Sequence, residues 1–173
     1  MKKLLLLSAL LLAGMFSASA QYQRRVLVEE FTNASCPPCA GQNPGFNAIL
    51  HDNLSKITPI KYQTNWPGYD PMNVQNAAHV ATRVAYYGVT GVPNGFTDGV
   101  GITNDCNYYD NAPACLDASD IDALYTVTSP VNIVLTHSIT ADNDSILIDV
   151  TVTSDVAISG TIKLHVAVIE EEI

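Results

Sequence analysis

VLVEEFTNASCPPC, residues 26–39, joins an apolar stretch to two cysteines that are separated by two prolines. Residues 25–31 are rich in valine and end in phenylalanine, which predicts a strand, and residues 32–35 are typical of a turn. Apolar residues then recur at helical spacing through residues 41–54, so the cysteines lie where a strand gives way to a helix. Free N–H groups and partial positive charge at a helix N-terminus favour a thiolate at Cys36. The spacing of three puts Cys39 one turn further along, within disulfide reach of Cys36.

The rest of the chain alternates strand and helix before it changes to strands alone. The pattern predicts a strand over residues 57–64, a helix over 72–87, an extended segment over 92–98 and a helix that opens at 120. Such alternation indicates an α/β layer arrangement. After Pro130, apolar residues alternate along residues 131–135, 146–152 and 162–168. This predicts three antiparallel strands with one buried face.

A Cys-x-x-Cys pair by itself has more than one interpretation. It also serves as half of a zinc site, which needs two further ligands at suitable spacing. Cys106 and Cys115 have eight residues between them, and the four histidines form no paired spacing, so we expect no metal and no other cofactor. A purely structural disulfide between Cys36 and Cys39 remains an open alternative at this point.

A second motif, YGVTGVP at residues 87–93, follows the first in the order found in a known family. The two motifs together resemble the thioredoxin-like superfamily over residues 25–126, with an apolar strand, an acidic residue, a Phe, Cys-x-Pro-Cys and a later cis-proline stretch. The resemblance implies an α/β thioredoxin fold, followed here by an incomplete antiparallel, sandwich-like β region. More narrowly, EEFTNASCPPC, the N-terminal leader and the β region are similar to the Omp28-related outer-membrane proteins of Bacteroidetes.

The resemblance also implies roles for five residues. Cys36 takes the attacking role and Cys39 the resolving role, while Pro93 is the cis-proline that faces the dithiol. Glu30 falls where the family keeps a buried carboxylate that moves protons for the second cysteine, and Lys61 falls where it keeps the lysine partner. An ordinary exposed Glu30–Lys61 pair is the alternative interpretation.

Two further sets of residues are less directly tied to the family. With Cys36 and Cys39 paired, Cys106 and Cys115 are left to form a second, structural disulfide around a polar, turn-rich loop. Trp66, Tyr69 and Val92 are candidates for a substrate groove, although aromatic residues more often serve as packing.

Departures from the family pattern bear on substrate and redox direction rather than on the fold. Ser35 stands where thioredoxins have Trp, and Pro37 stands where they have Gly, before the shared Pro38. Proline has no N–H, so Pro37 and Pro38 remove two donors that could stabilise a Cys36 thiolate. A less stabilised reduced form predicts a reductase-like or isomerase-like poise rather than that of a strong oxidant.

The implied activity is thiol–disulfide exchange with protein thiols and disulfides as substrates. The alternative function is a cell-envelope binding or surface module that keeps the fold without catalytic turnover. The net charge is −9 and becomes −11 without Lys2 and Lys3, which argues against nucleic acid as a partner because a nucleic-acid binder needs a basic footprint.

The first twenty residues have the pattern of a secretory signal peptide. Lys2 and Lys3 precede an apolar run over residues 4–12, and Ala18-Ser19-Ala20 fits a cleavage site. We therefore predict an exported protein in the periplasm, at the outer membrane or on the cell surface, with possible outer-membrane association. The predicted domains are a thioredoxin-like domain with insertions over residues 21–128 and the start of a β-sandwich-like domain over 129–173. Three strands cannot close a sandwich of about seven, so we expect this second domain to be truncated.

Overall fold

The computed structural model describes residues 22–103 and 105–170. These residues separate into two units, one formed by Arg24–Val127 with residues 166–170, the other by Thr128–His165 with residues 22–23. The predicted signal peptide, residues 1–20, lies outside the described residues. In the part of the chain that the structure describes, no helix has both the length and the apolar character needed to cross a membrane.

The first unit contains four strands, three α-helices and one 3₁₀ turn, and the second contains two strands. In chain order the elements are β1 (Val26–Thr32), α1 (Pro37–Asp52), β2 (Ile57–Gln63), α2 (Pro71–Tyr87), β3 (Asn94–Thr97), β4 (Val100–Gly101), the 3₁₀ turn (Pro113–Cys115), α3 (Ala118–Tyr125), β5 (Val131–Ile139) and β6 (Ile146–Ser154).

Strand β1 is the centre of the first unit. The sheet has the order β2-β1-β3-β4, with β1 parallel to β2 and antiparallel to β3. On one face, Val26 and Val28 join a core cluster with Phe46 of α1 and Ile121 of α3. On the other face, Phe31 packs with side chains from β2, α2 and β3. This arrangement, followed by the separate antiparallel sheet, confirms the predicted α/β thioredoxin-like fold.

Helix α1 begins earlier than the apolar spacing predicts, at Pro37 rather than at residue 41. Prolines are tolerated in the first turn because the N–H groups they lack have no partner inside the helix there. Cys36 is therefore the N-cap residue, with extended backbone (φ −97°, ψ 108°), and Cys39 lies inside the first turn. The motif itself therefore forms the helix start that the sequence predicts at the two cysteines.

The described residues after Pro130 correct the predicted β region. Strands β5 and β6 pair antiparallel over nine residues each, from Val131 opposite Ser154 to Ile139 opposite Ile146. Residues 161–170, however, form no regular secondary structure, so the predicted third strand is wrong for the described residues. The predicted buried face is also wrong, because Ile133, Leu135 and Val152 are each about half exposed. Alternation reports that a segment is able to form a sheet face, whereas burial requires a second layer over that face.

Candidate active site

The two cysteines of the motif form a disulfide at the N-terminus of α1, with their Cα atoms 5.2 Å apart. Cys36 and Cys39 are only 3% and 1% exposed. The Cys39 N–H donates a hydrogen bond to Cys36 Sγ over 3.1 Å. Pro37 and Pro38 have no N–H to offer, so the Cys39 N–H is the one backbone donor to the first sulfur within the part of the chain that the structure describes.

The cis-proline loop lies directly against the first cysteine. The Val92–Pro93 peptide bond is cis, as the sequence predicts, and Pro93 is fully buried. Antiparallel pairing of Phe31 with Asn94 brings this loop to the end of β1, next to the start of α1. As a result Val92 O lies 3.5 Å from Cys36 Sγ.

Buried Glu30 and partly exposed Lys61 form an ion pair on the same face of the sheet as α1. The parallel register of β1 and β2 sets them opposite one another, and Lys61 Nζ lies 2.8 Å from Glu30 Oε2. The Glu30 side chain is only 1% exposed, which differs from the alternative of an ordinary surface pair. Burial raises the pKa of Glu30, and the nearby Lys61 ammonium opposes this only in part.

Asn43 connects this carboxylate to the dithiol helix. In the orientation that satisfies all its neighbours, its amide nitrogen donates to Glu30 Oε1 (2.6 Å) and to the carbonyl of Cys39 (3.3 Å), and its oxygen accepts from Thr32 Oγ1 (3.0 Å). Asn43 is not among the site residues that the sequence predicts. Its position four residues after Cys39 was the available signal, because that spacing brings two helical residues to the same face.

The loop between β2 and α2 holds the segment that precedes Cys36. Ser35 Oγ donates to the carbonyl of Tyr69, and the Ala34 N–H donates to Asp70 Oδ2 over 2.8 Å. Asp70 is only 2% exposed, and its Oδ1 also accepts from the first N–H groups of α2. One carboxylate therefore couples the approach to the dithiol with the start of α2.

The three predicted groove residues have different surroundings. Val92 lies against Cys36, as described above, and Tyr69 is 74% exposed beside Ser35. Trp66 packs against the cluster around Phe31, which is the packing role that we kept as the alternative. The Trp66–Pro67 bond is also cis, which the sequence analysis did not predict.

The remaining two cysteines also form a disulfide. Cys106 and Cys115 have Cα atoms 5.2 Å apart and close a loop between β4 and α3. Among the described residues, no group of three His, Cys, Asp or Glu side chains is arranged to hold a metal ion.

Comparison with known proteins supports the fold only. The chain is similar to the solved structure of HBP35 of Porphyromonas gingivalis, with 16% sequence identity and a TM-score of 0.51. The likeness covers 68% of this chain and 38% of that chain. No protein-family model matches the sequence, and a search of curated proteins finds no match.

Proposed function

We propose that this chain is an exported thiol–disulfide oxidoreductase that exchanges disulfides with other proteins through Cys36 and Cys39. The observation that carries the proposal is the 3.5 Å separation of Cys36 Sγ from Val92 O, beside the cis peptide bond to Pro93. A cysteine at a helix N-cap is suited to attack, and the neighbouring backbone carbonyl of Val92 is suited to align a peptide segment beside that cysteine.

In the reducing direction, exchange takes two steps. The Cys36 thiolate attacks one sulfur of a substrate disulfide, a bond between Cys36 and that sulfur forms, and the other substrate sulfur leaves as a thiolate and takes up a proton. Cys39 then loses its proton and attacks the Cys36 sulfur, which releases the second substrate thiol and closes the Cys36–Cys39 disulfide. Two electrons pass from the dithiol to the substrate, and a small thiol reductant restores the dithiol.

Glu30 is proposed to accept the Cys39 proton in the second step. Its buried carboxylate has a raised pKa, which brings its proton affinity closer to that of a thiol. Asn43 bridges the Glu30 carboxylate and the Cys39 carbonyl, and Lys61 holds the other carboxylate oxygen. These contacts support proton transfer along the face of α1 that carries Cys39.

The cellular setting belongs to the same proposal. The predicted signal peptide and the presence of two disulfides support export, because disulfides persist outside the cytosol. We propose a cell-envelope location with association at the outer membrane. We also propose kinship with the Omp28-related outer-membrane proteins, which the EEFTNASCPPC stretch, the N-terminal leader and the β region support.

A second candidate function has its own support. In the oxidised form Cys36 is only 3% exposed, which favours a disulfide that stays closed inside a binding or surface module. The two candidates differ in whether the Cys36–Cys39 pair turns over.

Insulin reduction in the presence of dithiothreitol separates them. The oxidoreductase accelerates precipitation of the insulin chains, and Cys36→Ser abolishes the acceleration. In a separate reaction from which dithiothreitol has been removed, reduced Cys39→Ser accumulates a mixed disulfide between Cys36 and insulin. A wild-type protein that leaves the rate at the dithiothreitol background would overturn the proposal in favour of the surface module.

A further inference from the structure

The loop closed by the second disulfide forms hydrogen bonds with Pro93 and with strand β3, which follows it. We call residues 105–116 the stapled loop. Tyr109 Oη donates to the carbonyl of Pro93 over 2.8 Å, and the Gly95 N–H donates to the carbonyl of Asn111 over 2.8 Å. A Cβ on Gly101 would collide with the Asn111 side chain, so the loop also lies close against β4.

Gln42 ties the same loop to the dithiol helix. It lies three residues after Cys39 on α1 and is only 7% exposed. Its Nε2 donates to Tyr109 Oη over 2.9 Å, and its Oε1 accepts from the Ala114 N–H over 3.2 Å. The Tyr109 hydroxyl is therefore the point where the dithiol helix, the cis-proline loop and the stapled loop meet.

Tyr109 keeps its proton at neutral pH and so remains a donor to Pro93. Burial raises the pKa of Tyr109, and the hydrogen bond from Gln42 lowers it by less. Tyr109 as a whole is 43% exposed, so we take the contacts of its hydroxyl to hold the side chain in place.

The second disulfide anchors the half of the stapled loop that has no core of its own. Ala112, Cys115 and Leu116 are buried in the core cluster of α1 and α3, whereas residues 105–110 are exposed. Cys106 connects that exposed half to buried Cys115 through the bridge. Closing the loop removes alternative conformations in which Tyr109 leaves Pro93.

We propose that Tyr109 is a positioning residue for the cis-proline loop and that the Cys106–Cys115 disulfide holds it there. Capture of an extended protein substrate beside Val92 then depends on the second disulfide. The inference rests on the proposed function, since it concerns how that site receives its substrate.

The test compares a peptide with a small thiol reagent in the full chain carrying Cys39→Ser. A peptide with one cysteine, activated as a mixed disulfide with thionitrobenzoate, is set against N-acetylcysteine activated in the same way. The Cys36 thiolate attacks the cysteine sulfur, a Cys36–cysteine disulfide forms, and thionitrobenzoate leaves as a coloured anion. Only the peptide can use the backbone beside Pro93, whereas both reagents report the reactivity of Cys36.

We expect Tyr109→Phe, and separately the double variant Cys106→Ser with Cys115→Ser, to slow the peptide reaction about fivefold to tenfold, as loss of one positioning hydrogen bond would. The rate with activated N-acetylcysteine should stay within about twofold of the unsubstituted rate, because this small reagent does not use the positioning hydrogen bond. Tyr86→Phe removes the hydroxyl of a tyrosine that is 72% exposed on α2 and should leave both rates unchanged.

Equal slowing with both reagents would overturn the proposal, because it would report a general change at Cys36, and so would an unchanged peptide rate. If the double variant does not fold, Tyr109→Phe carries the test alone, with its melting temperature as the check on folding. A shifted ratio together with no insulin turnover by the wild type would keep the positioning role and reject the oxidoreductase. Insulin turnover by the wild type, together with an unchanged ratio of the peptide rate to the N-acetylcysteine rate, would keep the oxidoreductase and reject the positioning role.

Discussion

Glu29 and Glu30 are consecutive residues of β1 whose side chains lie on opposite faces of the sheet. Their surroundings shift the two carboxyl pKa values in opposite directions. Both residues are 1% exposed, and burial raises the pKa of each. On the α1 face, Lys61 offsets this only in part, so the pKa of Glu30 stays above its ordinary value. On the α2 face, Arg83 grips both oxygens of Glu29 at 2.7 Å, and two tyrosine hydroxyls add hydrogen bonds that bring its pKa below the ordinary value. One carboxylate is thus set up to take a proton and the other to remain a buried anion.

Glu30→Gln should make the protein more stable and less active. Because the pKa of Glu30 is raised in the folded state, ionisation of Glu30 costs stability as the pH rises above its ordinary value of 4.5. The variant should therefore gain stability over the wild type progressively above that pH and match it below. If Glu30 has the proposed role, insulin reduction by the variant should fall, because Cys39 would lose its proposed proton acceptor. Urea denaturation from about pH 4 to about pH 9 measures the first effect, and a variant less stable than the wild type at neutral pH would contradict the assignment.

Glu29→Gln should have the opposite effect on stability. Glu29→Gln removes the negative charge that pairs with the Arg83 guanidinium. It also replaces one of the two oxygens that accept from Arg83, Tyr62 and Tyr87 with an amide donor, and together these changes should cost about 3 kcal/mol at neutral pH. The pKa of Glu29 is lowered in the folded state, so the difference should shrink as the pH falls below 4.5 and through that lowered pKa. Asp52→Asn, at an exposed site on α1, should change stability by less than about 0.5 kcal/mol. If Glu29→Gln changes stability no more than Asp52→Asn does, the contacts of Glu29 with Arg83 and the two tyrosines do not stabilise the fold.

Gly68→Ala should displace the segment that precedes Cys36, although Gly68 itself lies in the loop between β2 and α2. A Cβ on Gly68 would lie 2.8 Å from Ser35 Cβ, so the segment before Cys36 must shift. We expect a loss of about 1–2 kcal/mol in stability and a slower reaction of Cys36. Gly45→Ala is the matched control, because a Cβ there meets nothing within 4 Å and should stabilise α1 by about 0.5–1 kcal/mol. Equal behaviour of the two variants in both measurements would contradict the packing argument.

The sequence predicts those parts of the fold and site that follow from local patterns. The strand, the Cys36–Cys39 pair and the helix adjoin in the chain, so their geometry follows from spacing. The cis bond at Pro93 and the register of Glu30 opposite Lys61 follow from the family pattern rather than from local physics.

Contacts between distant segments carry no such signal. Arg83 reaches Glu29 across 54 residues, and Tyr109 reaches Gln42 across 67, with no motif to announce either pair. The predicted third strand over residues 162–168 failed for a related reason. Apolar and polar residues do alternate in this segment, but a strand forms only where a partner strand is available, and the pattern carries no information about the partner.

The reduction potential of the Cys36–Cys39 pair tests the central claim most directly. Wild-type protein is equilibrated in glutathione and dithiothreitol buffers, quenched by alkylation and read by mass spectrometry, which distinguishes this pair from Cys106–Cys115. Among the described residues, the Cys39 N–H is the backbone donor to the Cys36 sulfur. We therefore expect the reduced form to gain little thiolate stabilisation and the pair to titrate reversibly between about −180 and about −300 mV. A potential below about −300 mV would mark a structural disulfide and contradict the redox-active dithiol, and one near about −120 mV would contradict the predicted reductase-like or isomerase-like poise.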